Sequence, residues 1–384
     1  MTSVAAALRR HAPQYLRSLS RAPANIAIRK AFAAIMRCRT GQLGGVQWQC
    51  DGCGRTHWTG RSCGNRHCST CGSEKTNDWL VKQSAKLLVG VHHFMVTFTV
   101  PEELREVLRV HRRDGYEALF AASSAALIAV AGSTKRLRSC QLGFLGVLHT
   151  WGRDPMVYHP HVHYLVPGGG VTMDSAGHAI GWQQTPRNFL VHHGTLIRVY
   201  KAKLADELRE RGLYHLVPAA AWQKQFVVDI EAVEDGRSVV AYLAPYVHRV
   251  AISDHRIKAV TETSVTYEYK PTKSLTVKSR TVDGQKFVAG FAQHILPTGF
   301  HKIRHYGWMT SNSKIRLEEI RMLVWFSLGW IYWLASGQAR QSKPVITPPF
   351  RCTTCGGTMQ VTLVLHMPIS LLFLQHRLAY LDSS

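Results

Sequence analysis

The segment His159–Gly170 reads HPHVHYLVPGGG, with histidines at 159, 161 and 163 ahead of an apolar run and a glycine-rich exit. In an extended strand, residues two apart share a face. His161 and His163 therefore present both imidazoles to one side while Val162 enters the opposite layer. Two neutral imidazoles in register make a clip for a divalent cation, and His149 on the preceding apolar segment reaches the same face if the two segments pair antiparallel. His159 continues the period, with Pro160 bending the chain and leaving it at the edge of a loop. By residue type alone the ion expected is zinc, which suits imidazole and leaves a coordination position open. A second constellation is Tyr242-Leu-Ala-Pro-Tyr246. On a helix, positions four apart share a face with Cβ atoms roughly 5–6 Å apart, so both phenols can address one site or simply pack. A tyrosine oxygen acts as a nucleophile when a cation sits near the group it attacks. Pro245 removes one backbone bond of that helix and is expected to kink it.

The chain has nine cysteines, six of them in three C-x2-C pairs. Cys50-x2-Cys53 and Cys68-x2-Cys71 have the spacing of a four-thiolate zinc module, with Cys63 and His67 as alternate ligands and His57 a weaker one. Cys352-x2-Cys355 supplies half of a further site. No apolar stretch follows the basic N-terminus, so an intracellular, cytoplasmic location and reduced thiols are expected.

The elements that must hold these residues follow from periodicity. Helical spacing runs over Ala5–Cys38, followed by a loop-like cysteine segment from Gly41 to Gly72 and a short helix over Asn77–Leu88. Strands are expected at His93–Thr99, Gly143–Trp151, His161–Val166 and Phe226–Ala232, with a hairpin over 256–270. Helices are expected at Glu102–Ala131, Phe189–Arg211 and Arg237–Val247, and the chain beyond Lys273 reads as mainly helical up to Pro344. Met322–Ala335 is too short for a bilayer span and reads as one buried helix, so no membrane partner is expected. Together these make an α+β chain in four consecutive parts. Residues 1–88 form a helical and cysteine-rich zinc module, 89–272 an antiparallel-sheet domain flanked by helices, 273–345 a helical region and 346–384 a C-x2-C tail.

Charge narrows the partner. Lysine and arginine total 47 against 24 acidic residues, a net +23. Residues 1–50 carry eight of the basic residues and no Asp or Glu. Such a surplus repels itself unless a polyanion neutralises it, and nucleic acid is the first candidate.

In their order behind a cysteine-rich module, LHTWG, HPHVHYLVPGGG, YLAPYVHRVAIS and GFHKIRHYG resemble the insertion sequence 91 family of rolling-circle transposases, in the HUH endonuclease superfamily. The resemblance runs from about Arg10 to Cys355. It implies that His161 and His163 hold Mg2+ or Mn2+ rather than zinc, with His149 the third ligand suggested by strand geometry. It implies that Tyr242 and Tyr246 are the paired nucleophiles, one of which attacks DNA to leave a 5′-phosphotyrosine and a free 3′-hydroxyl. It further implies single-stranded or hairpin DNA at transposon ends and target DNA as substrates, bound beside the bacterial nucleoid. Arg249, Arg304 and His305 would contact phosphate, Tyr306 and Trp308 would stack on bases, and the zinc module would recognise the element's end. A plasmid replication initiator or relaxase uses the same chemistry, although no G-x4-G-K-[ST] helicase signature occurs. A zinc-containing DNA-binding regulator is the non-enzymatic alternative.

Overall fold

A computed structural model describes residues 2–248, 251–271, 274, 276–338 and 350–368. The chain is α+β with antiparallel sheets, and it divides into two units, each discontinuous in sequence.

The larger unit comprises Asp78–Val247 and Leu296–Lys343. It is built on a five-stranded antiparallel sheet whose spatial order is Ile303–Gly307, Gly143–Trp151, Tyr158–Pro167, His93–Thr99, Val228–Val233. Strict alternation gives the sheet two different faces. Phe94, Val96, Phe98, Phe144, Val162, Tyr164 and Val166 point to one side and pack with Tyr116, Phe120 and Leu127 of the helix Arg112–Ser133 and Leu196, Tyr200 and Leu204 of the helix His193–Glu210. Gly146 allows this close approach, since a Cβ there would lie 2.6 Å from the Tyr164 ring. Leu145, Val147 and Leu165 point to the other side and pack with Val239, Val240, Leu243 and Ala244 of the helix Arg237–His248. Among the described residues one helix, Arg112–Ser133, is long and apolar enough to cross a membrane, and its apolar window is 67% buried inside the fold.

The other unit comprises Met1–Asn77, His248–Ile295 and Pro344–Ser384. Its helices Val4–Ser18, Ile26–Arg37 and Gly284–Ala292 meet through Tyr15, Phe32 and Phe291, whose rings lie 6.2 and 6.0 Å apart in turn. Asp254 joins the pieces: one carboxylate oxygen accepts from the Val4 N–H at the first helix's start and from Ser69 Oγ, and the other accepts from Thr70 Oγ1. The hairpin expected over 256–270 is present and gains a third strand, Lys278–Asp283.

Several expectations are overturned. The segment Gly41–Gly72 is not all loop. Gly45–Cys50 and Thr56–Gly60 form a hairpin, and Met359–Leu365 pairs on the other side of Gly45–Cys50. Between residues 276 and 338 the helices Gly284–Ala292, Leu317–Leu328 and Trp330–Gln338 are accompanied by two strands that periodicity did not show, Lys278–Asp283 and Ile303–Gly307, and the tail beyond carries the strand Met359–Leu365. Met322–Ala335 is two helices, Leu317–Leu328 and Trp330–Gln338, broken where Gly329 adopts φ +53°. Val324 is fully buried, but Trp330 and Leu334 are 83% and 71% exposed, so this segment is buried only in part. Pro160 lies within the strand Tyr158–Pro167, beside the slip in register between His149 and Trp151, a position where a strand tolerates a missing N–H.

Candidate catalytic and metal centres

Pairing register assembles the histidines. His149 lies directly opposite His161, and His163 lies opposite Val147, so all three imidazoles share the face carrying Leu145 and Leu165. A potential ligand nitrogen from each lies within 4.8 Å of the others. Ring centroids are 5.2 Å apart for His149 and His161, 4.5 Å for His149 and His163, and 4.7 Å for His161 and His163.

Hydrogen bonds orient two of the rings. His161 Nδ1 lies 2.7 Å from the His159 carbonyl oxygen, which can only accept, so Nδ1 carries the proton and Nε2 keeps its lone pair. His163 Nδ1 lies 2.8 Å from Thr97 Oγ1, and His163 Nε2 is buried with no hydrogen-bond partner. A buried nitrogen with no partner is what a ligand awaiting a cation looks like. Burial pushes the His163 pKa down to about 4. Burial, reinforced by neighbouring histidines, holds His149 and His161 well below the ordinary imidazole value. All three are therefore neutral at physiological pH, which is the ligating form. The donor set fits a divalent cation.

The helix Arg237–His248 lies on this same face. Val239, Val240, Leu243 and Ala244 anchor it, and the Tyr242 ring stands 6.0 Å from the His163 ring, nearly perpendicular at 86° and 46% exposed. Tyr246 follows one turn later on that helix.

The expected phosphate and base contacts divide. Arg304 lies opposite Gly146 and turns to the helix-covered face, where it pairs with Glu117 at 2.7 Å and lies over the Phe120 ring at 4.3 Å. Tyr306 stacks on Phe144 at 4.8 Å, and Trp308 is buried. These three are packing residues on this geometry, because an aromatic face already covered by a neighbour is closed to a base. His305 lies opposite Leu145 on the histidine face, with Nε2 3.4 Å from Gln83 Oε1. Arg249 lies outside the described residues. Sequence reasoning passed over Thr97 and also Lys302. Lys302 brings a positive charge that helps depress His149 and lies over the Trp151 ring at 4.8 Å. Its signal was its place in the GFHKIRHYG segment.

The cysteines regroup. Cys50 and Cys53 are not assembled with Cys68 and Cys71. Cys68 and Cys71 join Cys63, one of the alternates, and Cys38, which spacing did not single out. Sulfur separations within this set are 3.5 Å for Cys38–Cys71, 3.7 Å for Cys63–Cys71 and 3.8 Å for Cys38–Cys68. His67 is buried and belongs to neither group. Cys50 and Cys53 instead meet Cys352 and Cys355, because the strand Met359–Leu365 pairs with Gly45–Cys50 and brings the distant pair alongside. Eight of the nine cysteines thus fall into two sets of four, leaving Cys140.

Residues 143–316 match the family model described as "Putative transposase", and residues 7–100 match that described as "Transposase zinc-binding domain". Over 321 residues the chain is 31% identical to "Putative transposase y4qJ" of Sinorhizobium fredii, spanning 78% of this chain and 79% of that protein. Over 346 residues it is 25% identical to "Transposase for insertion sequence element IS801" of Pseudomonas savastanoi pv. phaseolicola, spanning 85% of this chain and 82% of the relative. No solved structure matches the chain.

Proposed function

This chain belongs to the insertion sequence 91 family of transposases, with an N-terminal zinc-binding domain, and from that premise we propose that it nicks and rejoins single-stranded DNA at transposon ends through a tyrosine nucleophile of the HUH type. The observation that carries the reading is the Tyr242 ring 6.0 Å from His163, on the sheet face that gathers His149, His161 and His163.

The three imidazoles would hold Mg2+ or Mn2+, which when bound polarises the scissile phosphate and offsets charge developing on it. The remaining chemistry belongs to the chain. The hydrogen bonds from His161 Nδ1 to the His159 carbonyl and between His163 Nδ1 and Thr97 set the rings so that their Nε2 atoms are free to ligate. The Tyr242 oxygen attacks phosphorus as its phenolic proton leaves to solvent, the bond from phosphorus to the 3′-oxygen breaks, and the departing oxygen takes a proton from solvent to become a 3′-hydroxyl. The 5′-phosphate stays on the tyrosine. Because the phosphodiester energy is conserved in that linkage, the reverse attack by a 3′-hydroxyl rejoins a strand without ATP. Tyr246, one turn on, would accept a second strand end. Lys302 and His305 would contact the backbone of the bound strand, and the basic first fifty residues would hold flanking DNA. The structural zinc of the zinc-binding domain would sit at Cys38, Cys63, Cys68 and Cys71, all inside the matched 7–100.

Single-stranded end DNA and Mn2+ should give a covalent adduct that survives denaturing electrophoresis. The Tyr242→Phe, Tyr246→Phe double variant and the His161→Ala variant should each give none. An adduct that persists through both sets of changes would assign the chemistry to other residues.

A further inference from the structure

We propose that the chain carries a second structural zinc, held by Cys50, Cys53, Cys352 and Cys355, which clasps the C-terminal strand Met359–Leu365 to the N-terminal sheet. The C-terminal pair lies far outside the matched zinc-binding domain, which ends at residue 100.

The two contributing loops are built alike. Both read C-x2-C-G, as Cys50-Asp-Gly-Cys53-Gly and Cys352-Thr-Thr-Cys355-Gly. In each, the glycine after the second cysteine is left-handed, with φ +70° at Gly54 and +72° at Gly356. In each, that glycine's N–H donates to the carbonyl of the first cysteine, at 3.0 Å for Gly54 to Cys50 and 2.9 Å for Gly356 to Cys352. In each, the first cysteine's N–H donates five residues ahead, Cys50 to Arg55 and Cys352 to Gly357, both at 2.9 Å. The repeated hydrogen-bond scheme turns both sulfurs of each loop the same way, and strand pairing sets the loops face to face.

The sulfurs are spaced for a metal. Cys50 Sγ lies 3.4 Å from Cys355 Sγ and Cys53 Sγ 3.7 Å from Cys352 Sγ, and all four fall within 4.8 Å of one another. A tetrahedral zinc with Zn–S bonds of about 2.3 Å sets its sulfurs about 3.8 Å apart, whereas a disulfide needs about 2.0 Å. Backbone amides serve the sulfurs as they would serve thiolates: the Thr354 N–H donates to Cys352 Sγ and the Gly357 N–H to Cys355 Sγ, each at 3.4 Å. Gly357 must be glycine for the loops to close, since a Cβ there would lie 2.9 Å from Cys50 Sγ.

The apolar material around this site is slight. Its buried cluster is Cys50, Cys352 and Met359 with half-buried Trp48, whose ring meets Phe350 at 5.2 Å. A core of that size adds little to the strand pairing that brings together residues 299 apart, Cys53 and Cys352. A metal that binds only the assembled site adds its binding free energy to the fold.

The test uses the full-length chain purified under reducing conditions. Zinc per chain is counted by elemental analysis, and each cysteine's alkylation is followed by peptide mass spectrometry before and after chelation. Two zinc ions per chain are expected. Cys53 and Cys355, although exposed, should resist alkylation until the chelator is added and then label together with Cys50 and Cys352. The Cys352→Ser, Cys355→Ser variant should hold one zinc. Immediate labelling of Cys53 and Cys355, disulfides among the four, or an unchanged zinc count in the Cys352→Ser, Cys355→Ser variant would each overturn the site. The native chain gives the labelling readings without any variant having to fold.

Discussion

Thr97 and His163 face each other across two paired strands, and the hydroxyl at 2.8 Å decides which imidazole nitrogen is left for a cation. Removing such an orienting partner typically weakens metal binding about 10- to 100-fold. The Thr97→Val variant should therefore need at least about tenfold more Mn2+ for half-maximal adduct formation, with its unfolding midpoint little changed. An unaltered Mn2+ requirement would remove Thr97 from the site. At this scale the sequence was informative wherever the spacing is local. His161 and His163 announce themselves by a period of two, and Tyr242 and Tyr246 by a period of four. Thr97 could not be found that way, because its relation to His163 is a matter of strand register across 66 residues. Cys38 was hidden similarly: it closes a helix, and nothing in its spacing to Cys63 marks it as a ligand.

The element that matters most to the proposed chemistry is the helix Arg237–His248, seated on the histidine face by Val239, Val240, Leu243 and Ala244. Leu243 is fully buried. Leu243→Ala should cost about 2 to 5 kcal/mol of stability. It should also lower adduct yield in the folded fraction while leaving Mn2+ binding at the histidines intact. Full yield from the folded variant would separate the helix's seating from its chemistry. Elements with clean apolar patterns were readable: His93–Thr99 falls where alternation puts it, and Gly143–Trp151 where its apolar run does. The hairpin of Gly45–Cys50 and Thr56–Gly60 was not: Val46, Trp48 and Cys50 do alternate with Gln47 and Gln49, but the run is short and sits among glycine- and cysteine-rich turns that read as loop. The edge strand Ile303–Gly307 is only five residues, Ile-Arg-His-Tyr-Gly, too short to separate from its surroundings by pattern. Ser327 and Gly329 were the signal of the break that the left-handed φ of Gly329 makes, outweighed in the reading by the apolar residues on both sides.

At the scale of the whole molecule, the net charge of +23 already pointed to a polyanionic partner, and a transposase has one in DNA. The order of parts was less readable. Sequence suggested four consecutive segments, whereas each structural unit gathers pieces from distant stretches, including the C-terminal strand that pairs with Gly45–Cys50. Such pairings depend on long-range register, which local composition does not encode. The central claim, that a tyrosine of the helix Arg237–His248 attacks the scissile phosphate beside the histidine site, is tested most directly by finding the amino acid that carries the DNA. The adduct formed with single-stranded end DNA is digested with protease and nuclease, and the modified peptide is sequenced by tandem mass spectrometry. A nucleotide joined through its 5′-phosphate to Tyr242 or Tyr246 is expected; attachment to any residue outside that helix would contradict the claim.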